Sequence, residues 1–270
     1  MTVAPSLTEL AGPAPACASA GRLKGRVCLV TGATSGIGRA TALRMAAEGA
    51  SAVIVTGRRH ELGQALAEDI QRLGTDSLFI RCDVTREIDI EEAVKHTMTR
   101  FGRLNAVFNN AGFQERRAPL ADQTDAVYAQ VFDTNVRAVF HAMRHEIPAL
   151  AASGGGTIVN NTSVSGKRNP NPGLALYGAS KAAVISLTRA AAMEYAPSGI
   201  RINAVAPGRV VTDMMLGSGI ADMRTVAAGL PLRRMGHPEE VAAAVVWLMS
   251  DEAGYVVGHV LATDGGFLAG

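Results

Sequence analysis

The sequence predicts an α/β fold with a doubly wound, mainly parallel, seven-stranded sheet in a single domain. Seven short β-branched runs alternate with longer stretches of helical periodicity, and a length of 270 residues suits one domain. Alternation of strand and helix favours a parallel sheet covered on both faces, because each crossover returns the chain through a helix. We expect this domain to span residues 23–270.

The individual elements follow from composition and periodicity. The predicted strands, rich in β-branched residues, lie at 26–31, 52–56, 77–81, 106–108, 157–160, 201–205 and 259–262. Apolar residues recur at helical spacing between them, which predicts helices over 37–48, 62–73, 88–100, 126–150, 179–195 and 238–250. No repeat of fixed period interrupts this order, so one sheet accounts for the whole domain.

Segments outside the domain and the overall charge limit the partners. Residues 1–22 are rich in alanine and proline and have no basic start, so we expect a disordered N-terminal tail there. No apolar run approaches the roughly 18 residues of a membrane span. A formal net charge of +2 with scattered basic residues offers no stripe for nucleic acid. Cys17, Cys28 and Cys82 lack metal-ligand spacing and indicate a reducing compartment, so we expect a cytoplasmic protein.

A glycine-rich segment follows the first predicted strand, where a helix begins. It reads Thr31-Gly32-Ala33-Thr34-Ser35-Gly36-Ile37-Gly38. In such a turn Gly32 allows a tight reversal, Gly36 lets the backbone approach a pyrophosphate, and Gly38 lets the helix pack closely on the strand. Amide groups at the helix start would then face the anion. A purely structural turn is the alternative, but the position after the first strand favours a dinucleotide site.

The second predicted strand ends in Thr56-Gly57-Arg58-Arg59, without the acid that would bind the ribose hydroxyls of an unphosphorylated dinucleotide. Arg58 and Arg59 can instead bind a 2′-phosphate, because guanidinium groups form charge-assisted hydrogen bonds with phosphate. A solvated basic helix start is the alternative. Asp83-Val84, after the third strand, is either a helix cap or an adenine contact. These residues favour NADP(H), with NAD(H) possible.

A second group of polar residues lies near the helix after the fifth strand. Tyr177 and Lys181 are four residues apart, which places them on one helical face. A neighbouring ammonium favours phenolate, so we expect Lys181 to lower the pKa of Tyr177 and to suit it for proton exchange with a carbonyl oxygen. Ser163, at the end of the preceding strand, would polarise the same oxygen. Asn135, in another long helix, could hold a water that links the lysine to solvent.

These motifs together resemble the short-chain dehydrogenase/reductase family in its single-domain Rossmann form, over about residues 23–267. The features that match in order and spacing are the glycine motif, Asn109-Asn110-Ala111-Gly112, Asn135, Ser163, Tyr177 with Lys181, and Pro207-Gly208 with Thr212. The segments 230–236, 238–240 and 264–266 are also similar to those of the family. Chance assembly of all these features is negligible.

The resemblance implies a hydride transfer between a nicotinamide and a carbonyl or alcohol carbon. It implies Tyr177 as acid and base, Lys181 as its pKa modulator and a ribose ligand, Ser163 as substrate orienter and Asn135 as proton-relay residue. The implied cofactor contacts are Gly32, Thr34, Ser35, Gly36, Ile37, Gly38, Arg58, Arg59, Asp83, Val84, Asn110, Ala111, Gly112, Tyr177, Lys181, Pro207, Gly208, Val210 and Thr212. No metal is expected.

The substrate and the assembly are also predicted from this resemblance. In this family the segment after Thr212 closes over the substrate. Here it contains Met214, Met215, Leu216, Ile220 and Met223. These residues predict a lipophilic ketone or secondary alcohol, with packing between lid and core as the alternative. The family also implies a homotetramer or homodimer.

Two other functions compete with an oxidoreductase. A nucleotide-sensing protein could keep the dinucleotide fold without turnover, and a methyltransferase could use a glycine-rich first turn on a related sheet. Neither has a use for the Tyr177 and Lys181 pair. His141 and His145, followed by Glu146, have a spacing at which two imidazoles can share zinc, but a solvated helix face is the simpler interpretation.

Overall fold

The computed structural model describes residues 10, 21–169, 172–220 and 222–270, and a seven-stranded sheet lies at its centre. The strands are β1 (Val27–Val30), β2 (Ala52–Gly57), β3 (Asp76–Arg81), β4 (Ala106–Asn109), β5 (Gly156–Asn161), β6 (Ile200–Pro207) and β7 (Val260–Thr263). Their order is β3-β2-β1-β4-β5-β6-β7, and each neighbouring pair is parallel. The predicted fold class is confirmed.

Helices cover both faces of the sheet. They are α1 (Gly36–Ala47), α2 (His60–Arg72), α3 (Glu87–Phe101), α4 (Asp125–Phe132), α5 (Ala138–Ala152), α6 (Ala175–Tyr195), α7 (Asp213–Leu216), α8 (Met223–Ala228) and α9 (Pro238–Met249). Alternate residues of β1 point to opposite faces. Cys28 and Val30 pack in the core under α1, α2 and α9, whereas Val27 and Leu29 pack in the core under α3, α5 and α6.

The helix predicted over 126–150 is divided in the structure. A π-helical turn, Asp133–Arg137, separates α4 from α5. Apolar periodicity continues across the break, which is why the sequence indicated one helix. The wider turn carries Asn135, whose buried amide bonds to the backbone of Phe113 on a neighbouring loop. Such single π turns occur frequently at functional sites.

At β1 the chain changes the side of the sheet on which it adds strands. From β1 the chain moves through β2 to β3 on one side, and then crosses to β4 on the other. In open parallel sheets, ligands bind at this reversal, outside the carboxyl ends of the strands. The glycine turn and the predicted catalytic residues either follow the carboxyl ends of strands or lie on helices near those ends. The topology therefore brings them to one edge of the sheet.

The predicted tail over 1–22 lies mostly outside the described residues, so its disorder stays a prediction. Leu10 is described, and its side chain is 1% exposed. Its carbonyl accepts a hydrogen bond of 2.9 Å from the Met235 amide. Within the described parts of the chain, none of the helices has both the length and the apolar character that crossing a membrane requires.

The two histidines of α5 contact an acid on α3 instead of a solvated surface alone. His145 Nε2 lies 3.0 Å from Glu87 Oε1, and His141 Nε2 lies 3.5 Å from Glu87 Oε2. The hydrogen bond from His145 and the neighbouring positive charges hold the pKa of Glu87 below its usual value, and burial opposes them. These contacts join α5 to α3.

Candidate active site

A cavity of about 500 Å³ lies at the carboxyl edge of the sheet. It extends from the glycine turn, past Arg58, Arg59 and Asp83, to Ser163 and Tyr177. Every predicted cofactor residue lines it except Gly38, and Ser163, Tyr177 and Lys181 line it among the predicted catalytic residues. Gly38 and Asn135 lie behind this wall. Their contacts position the backbone segments that form it.

The glycine turn is packed too closely for side chains. A Cβ on Gly32, which has a φ of +62°, would lie 2.8 Å from the Ala111 Cα. A Cβ on Gly38 would lie 2.5 Å from the Gly32 carbonyl oxygen and 2.5 Å from Asn110 Nδ2. The Asn110 amide in turn donates to the carbonyls of Thr31 and Gly32, at 3.1 and 3.0 Å. Gly38 therefore shapes the cradle without facing the cavity.

Beside this cradle, Arg59 reaches back from the end of β2. Its Nη2 donates to Thr34 Oγ1 at 2.9 Å and to Ser35 Oγ at 2.7 Å. Arg58 lines the same part of the cavity and lies near Asp83. A cation and two hydroxyl groups thus converge at the place where a strand-end acid would bind ribose hydroxyls in other dinucleotide sites. This arrangement suits an anionic group.

Asp83 lies across the cavity from the glycine turn. Its Oδ1 accepts hydrogen bonds from the amide and the hydroxyl of Thr85, at 3.0 and 2.8 Å. Partial burial opposes ionisation, but these bonds and the charges of Arg58 and Arg86 hold the pKa of Asp83 below its usual value. The carboxylate therefore closes a turn while it lines the cavity, so both of its predicted roles are compatible with the geometry.

At the other end of the cavity, Tyr177 and Ser163 line the wall together, and Ser163 is near enough to the phenol to lower its pKa. Tyr177 is on the first turn of α6, and Ser163 follows β5. Lys181 is 4% exposed, donates to the Asn161 carbonyl at 2.9 Å, and lies 5.8 Å from the centroid of the Tyr177 ring. The phenol and the serine hydroxyl are thus close enough to contact one substrate oxygen, with the lysine below the ring.

The pKa of Tyr177 is raised in the structure, whereas the sequence predicted that Lys181 would lower it. Burial raises the pKa of the Tyr177 phenol, and the hydrogen bond with Ser163 and the charge of Arg209 oppose this rise only in part. Burial also lowers the pKa of the Lys181 ammonium to about 8. Desolvation is therefore the largest cause of the pKa shift in both groups. A phenol that keeps its proton at neutral pH is suited to donate it to a carbonyl oxygen.

Asn135 is fully buried, and three hydrogen bonds hold its side-chain amide. The Phe113 amide donates to Asn135 Oδ1 at 2.8 Å, and Asn135 Nδ2 donates to the Phe113 carbonyl at 2.8 Å and to Ser180 Oγ at 2.9 Å. A Cβ on Gly112 would lie 3.4 Å from both Asn135 Oδ1 and Lys181 Nζ. The amide thus holds the loop after β4 against α6, and its role in a proton relay stays a prediction.

The residues of the predicted lid divide between the two roles that the sequence left open. Met214 and Met215 line the cavity, as the substrate interpretation requires. Met223 is buried in a small apolar cluster beneath the lid, and the partly buried Ile220 and Met215 pack against it, as the packing alternative requires. Leu216 is 47% exposed.

Two polar residues near the chemical end were missed by sequence analysis. Arg209 lines the cavity beside Tyr177 and Ser163. Glu115 is 3% exposed, and its Oε1 accepts a hydrogen bond of 3.0 Å from the Tyr177 amide at the start of α6. Arg209 directly follows Pro207-Gly208, a predicted cofactor segment, so its position in the sequence could have indicated that it lies at the site. The loop that carries Glu115 has no periodic pattern, so nothing in the sequence indicated its burial.

Comparison with known proteins identifies the family. The sequence model described as enoyl-(acyl carrier protein) reductase, of the short-chain alcohol dehydrogenase type, matches residues 32–268. The chain belongs to the short-chain dehydrogenase/reductase family. The resemblance inferred from the motifs is therefore confirmed. Members of this family are NAD(P)-dependent oxidoreductases of alcohols and ketones, and this chain is one of them.

Relatives and solved structures agree with that assignment. The chain is 42% identical over 251 residues to an A-factor type gamma-butyrolactone 1′-reductase (1S-forming) of Streptomyces virginiae, covering 92% of this chain and 97% of the relative. It is 41% identical over 245 residues to a cis-4-hydroxycyclohexanecarboxylate dehydrogenase of Sinomonas cyclohexanicum, covering 90% and 97%. A 7α-hydroxysteroid dehydrogenase, solved with NADH and 7-oxo glycochenodeoxycholic acid, has a TM-score of 0.87 at 31% identity, covering 92% and 96%.

Proposed function

We propose that this chain is an NADP(H)-preferring oxidoreductase that interconverts an alicyclic or otherwise lipophilic secondary alcohol and its ketone. One observation carries the chemistry of the proposal. Ser163 and Tyr177 line the same cavity as the glycine turn and Arg59. This arrangement combines a proton donor with a cradle for a dinucleotide along a single cavity.

The residues present fit a nicotinamide dinucleotide. Gly32 and Gly38 leave no space for a Cβ, so the backbone of the turn is exposed to a ligand while α1 stays close to β1. The amide groups at the start of α1 would hold a pyrophosphate. Lys181 and Tyr177, at the far end, would hold the ribose next to the nicotinamide. When bound, the dinucleotide supplies or accepts the hydride.

The roles of the protein side chains follow from their protonation. In the direction of reduction, Tyr177 donates its phenolic proton to the substrate oxygen as negative charge develops there. Ser163 donates a hydrogen bond to the same oxygen and fixes its position. Lys181, held by the Asn161 carbonyl, then stabilises the resulting phenolate through its positive charge. In the direction of oxidation the same phenolate removes the proton of the alcohol.

The preference for NADP(H) depends on Arg59 more than on Arg58. Arg59 already contacts the hydroxyl groups of Thr34 and Ser35, so its guanidinium lies close to the ribose end of the cradle. Because β2 ends without a carboxylate at this place, no side chain there would repel a 2′-phosphate. A charge-assisted contact contributes about 1.5 to 3 kcal/mol, which corresponds to roughly a ten- to hundredfold preference.

Titration of NADPH and NADH, followed by nicotinamide fluorescence, tests this preference. We expect the wild type to bind NADPH more tightly, and Arg59→Ala to lose roughly ten- to hundredfold affinity for NADPH with little change for NADH. Arg58→Ala should have the smaller effect, and Arg100→Ala, on the exposed end of α3, is the matched control. Tighter binding of NADH by the wild type, or an unchanged ratio in both variants, would contradict the preference.

The substrate class rests on the wall of the cavity near Tyr177. Phe113, Val164, Met214 and Met215 form its apolar part. The relatives described above act on ring-bearing substrates by name, which supports an alicyclic substrate here. A panel of ring and chain ketones, followed by the absorbance of NADPH and NADH, tests the proposal. Dinucleotide binding without turnover of any ketone or alcohol would favour the nucleotide-sensing alternative.

We also propose a homotetramer or homodimer. Large apolar side chains are exposed on three helices of one face: Tyr128 on α4 is 50% exposed, Phe140 on α5 is 46% exposed, and Met193 on α6 is 78% exposed. Burial of such residues against a second copy would remove apolar surface from water, and closed symmetry is the usual result. Light scattering at micromolar concentration that gave the mass of a monomer would exclude this assembly.

A cytoplasmic location is the last part of the proposal. Cys28 and Cys82 are free and buried. Burial raises the pKa of both thiols to about 12, so they remain protonated, unreactive members of the core. Free thiols of this kind suit a reducing compartment. Cell fractionation with immunodetection tests the location, and recovery of the protein in a secreted fraction would contradict it.

A further inference from the structure

Arg209 is held at a rigid point of the cavity wall, immediately after the end of β6. The Gly208 amide donates to the Thr263 carbonyl at 3.1 Å, and the Gly236 amide donates to the Arg209 carbonyl at 2.8 Å. A Cβ on Gly208 would lie 2.7 Å from the Asp264 Cα, so the backbone has little freedom there. The side chain of Arg209 therefore leaves a fixed backbone and lines the cavity with Ser163 and Tyr177.

The electrostatic neighbours of Arg209 lie near Tyr177, at the end of the cavity that Arg209 lines with Ser163. Burial lowers the pKa of Arg209, the charge of Arg117 lowers it further, and the Tyr177 phenolate opposes both effects. Tyr177 is the predicted proton donor, and Arg117 is on the loop that also carries Phe113. Arg209 lines the cavity with Ser163 and Tyr177, and both of these charged neighbours lie away from the glycine turn, so we place the guanidinium at the substrate end. A half-buried cation interacts more strongly with an anion than one in water does.

The rest of the described wall at this end is mainly uncharged, apart from Lys181 below the Tyr177 ring and the exposed Asp213 beside Met214. Its apolar members are Phe113, Val164, Met214 and Met215, and its amide members are Gln114 and Gln130. A ligand that matches this wall has an apolar body and one group that accepts hydrogen bonds from a guanidinium. Carboxylate is the group that matches the planar fork of arginine best, because two parallel N–H donors meet its two oxygens.

We propose that Arg209 is a specificity residue that binds a carboxylate on the substrate, so that the enzyme prefers ketones and alcohols with an apolar ring or chain and a separate carboxylate group. This inference rests on the proposed oxidoreductase function. Arg209 would orient the substrate by its far end, while Ser163 and Tyr177 contact the reacting oxygen. The rigid backbone at Gly208 makes this orientation reproducible.

A matched pair of substrates tests the inference. The ratio of kcat/KM for 4-oxocyclohexanecarboxylate to that for its methyl ester is measured with the preferred dinucleotide. We expect the wild type to favour the carboxylate by roughly ten- to hundredfold, and Arg209→Met to remove most of that ratio. Arg209→Lys should keep part of it, because the ammonium retains the charge but lacks the planar fork. Arg116→Met, at an exposed residue near Arg117 that does not line the cavity, is the control.

Binding without turnover gives a second readout. Calorimetry with cyclohexanecarboxylate and the neutral cyclohexanecarboxamide, each added to the enzyme with dinucleotide, should show a preference for the carboxylate that Arg209→Met abolishes. A wild type that favours the ester overturns the inference, as does a substrate ratio that Arg209→Met leaves unchanged. An equal loss with both ketones and a shifted pH profile of kcat would also overturn it, since Arg209 would then act on Tyr177. Failure to reduce any ketone would instead contradict the proposed function.

Discussion

At the nucleotide end of the cavity, the turn after β1 is surrounded by backbone, and a Cβ on Gly38 would lie 2.5 Å from the Gly32 carbonyl. At the lid end, α7 and α8 instead rest on a separate apolar cluster that includes Leu10, Leu230 and Met235. The first end is formed by residues close in sequence and by the neighbouring strand. The second depends on side chains that are far apart in the chain.

This difference indicates which mutations should affect cofactor binding and which should affect substrate binding. A turn with no space for a methyl group transmits even a small substitution to the bound ligand. A small cluster can lose a side chain while the main sheet remains intact, because stability is not uniform across a structure. Changes at the nucleotide end should therefore affect dinucleotide affinity, and changes under the lid should affect KM for the substrate.

Tyr177→Phe gives the largest expected effect and tests whether the two ends are separable. The substitution removes the phenolic proton and keeps the ring, so kcat should fall by roughly a hundredfold or more. Dinucleotide affinity should change little, because the ring of residue 177 stays in place and most of the predicted cofactor contacts lie at the other end. Stopped-flow absorbance and fluorescence titration measure the two quantities. Retention of more than half of the rate would refute the role of Tyr177, and a large loss of affinity would break the separation.

Gly38→Ala should act on the nucleotide end alone. The new methyl group must displace the Gly32 carbonyl or the Asn110 amide, so dinucleotide affinity should fall by about tenfold or more. Gly229→Ala is the matched control at the end of α8, since a Cβ there would lie 3.5 Å from the Thr225 carbonyl, an ordinary contact. Circular dichroism verifies that both variants fold. Equal dinucleotide affinities in the folded variants would show that the close packing has no effect on binding.

Leu10→Ala should act on the lid end. The side chain is 1% exposed in the cluster with Leu230 and Met235, and its loss leaves a cavity beneath the lid. KM for a ketone should rise several-fold, while the dissociation constant of the dinucleotide stays unchanged. Leu120→Ala, at a residue that is 65% exposed, is the control. If KM is the same in Leu10→Ala and the wild type, the contact of Leu10 has no role in substrate binding, as a purely inert tail would predict.

Glu146→Gln should have the smallest effect on activity, and a measurable one on stability. Glu146 is 1% exposed, and its Oε2 accepts from Asn109 Nδ2 at 2.9 Å. Burial raises its pKa from 4.5 to about 8, an effect that the bond from Asn109 opposes. As pH rises from 4.5 to about 8 the unfolded chain loses this proton while the folded protein keeps it, so wild-type stability falls across that window.

Glutamine retains the acceptor for Asn109 and does not titrate. As the pH rises from about 5 to about 8, the free energy of unfolding of the variant should therefore increase relative to that of the wild type by on the order of 2 kcal/mol. Urea unfolding at both pH values measures this change, and kcat serves as the check on the active site. Parallel pH dependence in the two proteins would show that Glu146 is not the titrating group.

Much of the architecture follows from local sequence. The seven strands, their parallel arrangement and the glycine turn were predictable because β-branched runs, helical periodicity and Gly32, Gly36 and Gly38 are local signals. The spacing of Tyr177 and Lys181 likewise places both on one face of α6 whatever the rest of the chain does. Most of the predicted cofactor residues line the cavity for the same reason, since apart from Tyr177 and Lys181 on α6 they follow strands whose ends were recognisable.

Only the tertiary structure decided the properties that depend on distant neighbours. The π turn at Asn135 depends on a loop more than twenty residues earlier in the chain, and the raised pKa of Tyr177 depends on burial by several elements. The position of Arg209 in the cavity wall with Ser163 and Tyr177 is of the same kind. Burial and the electrostatic environment of a group depend on many residues that lie far apart in the sequence. A local sequence pattern therefore identifies the titratable groups but does not reveal what surrounds them.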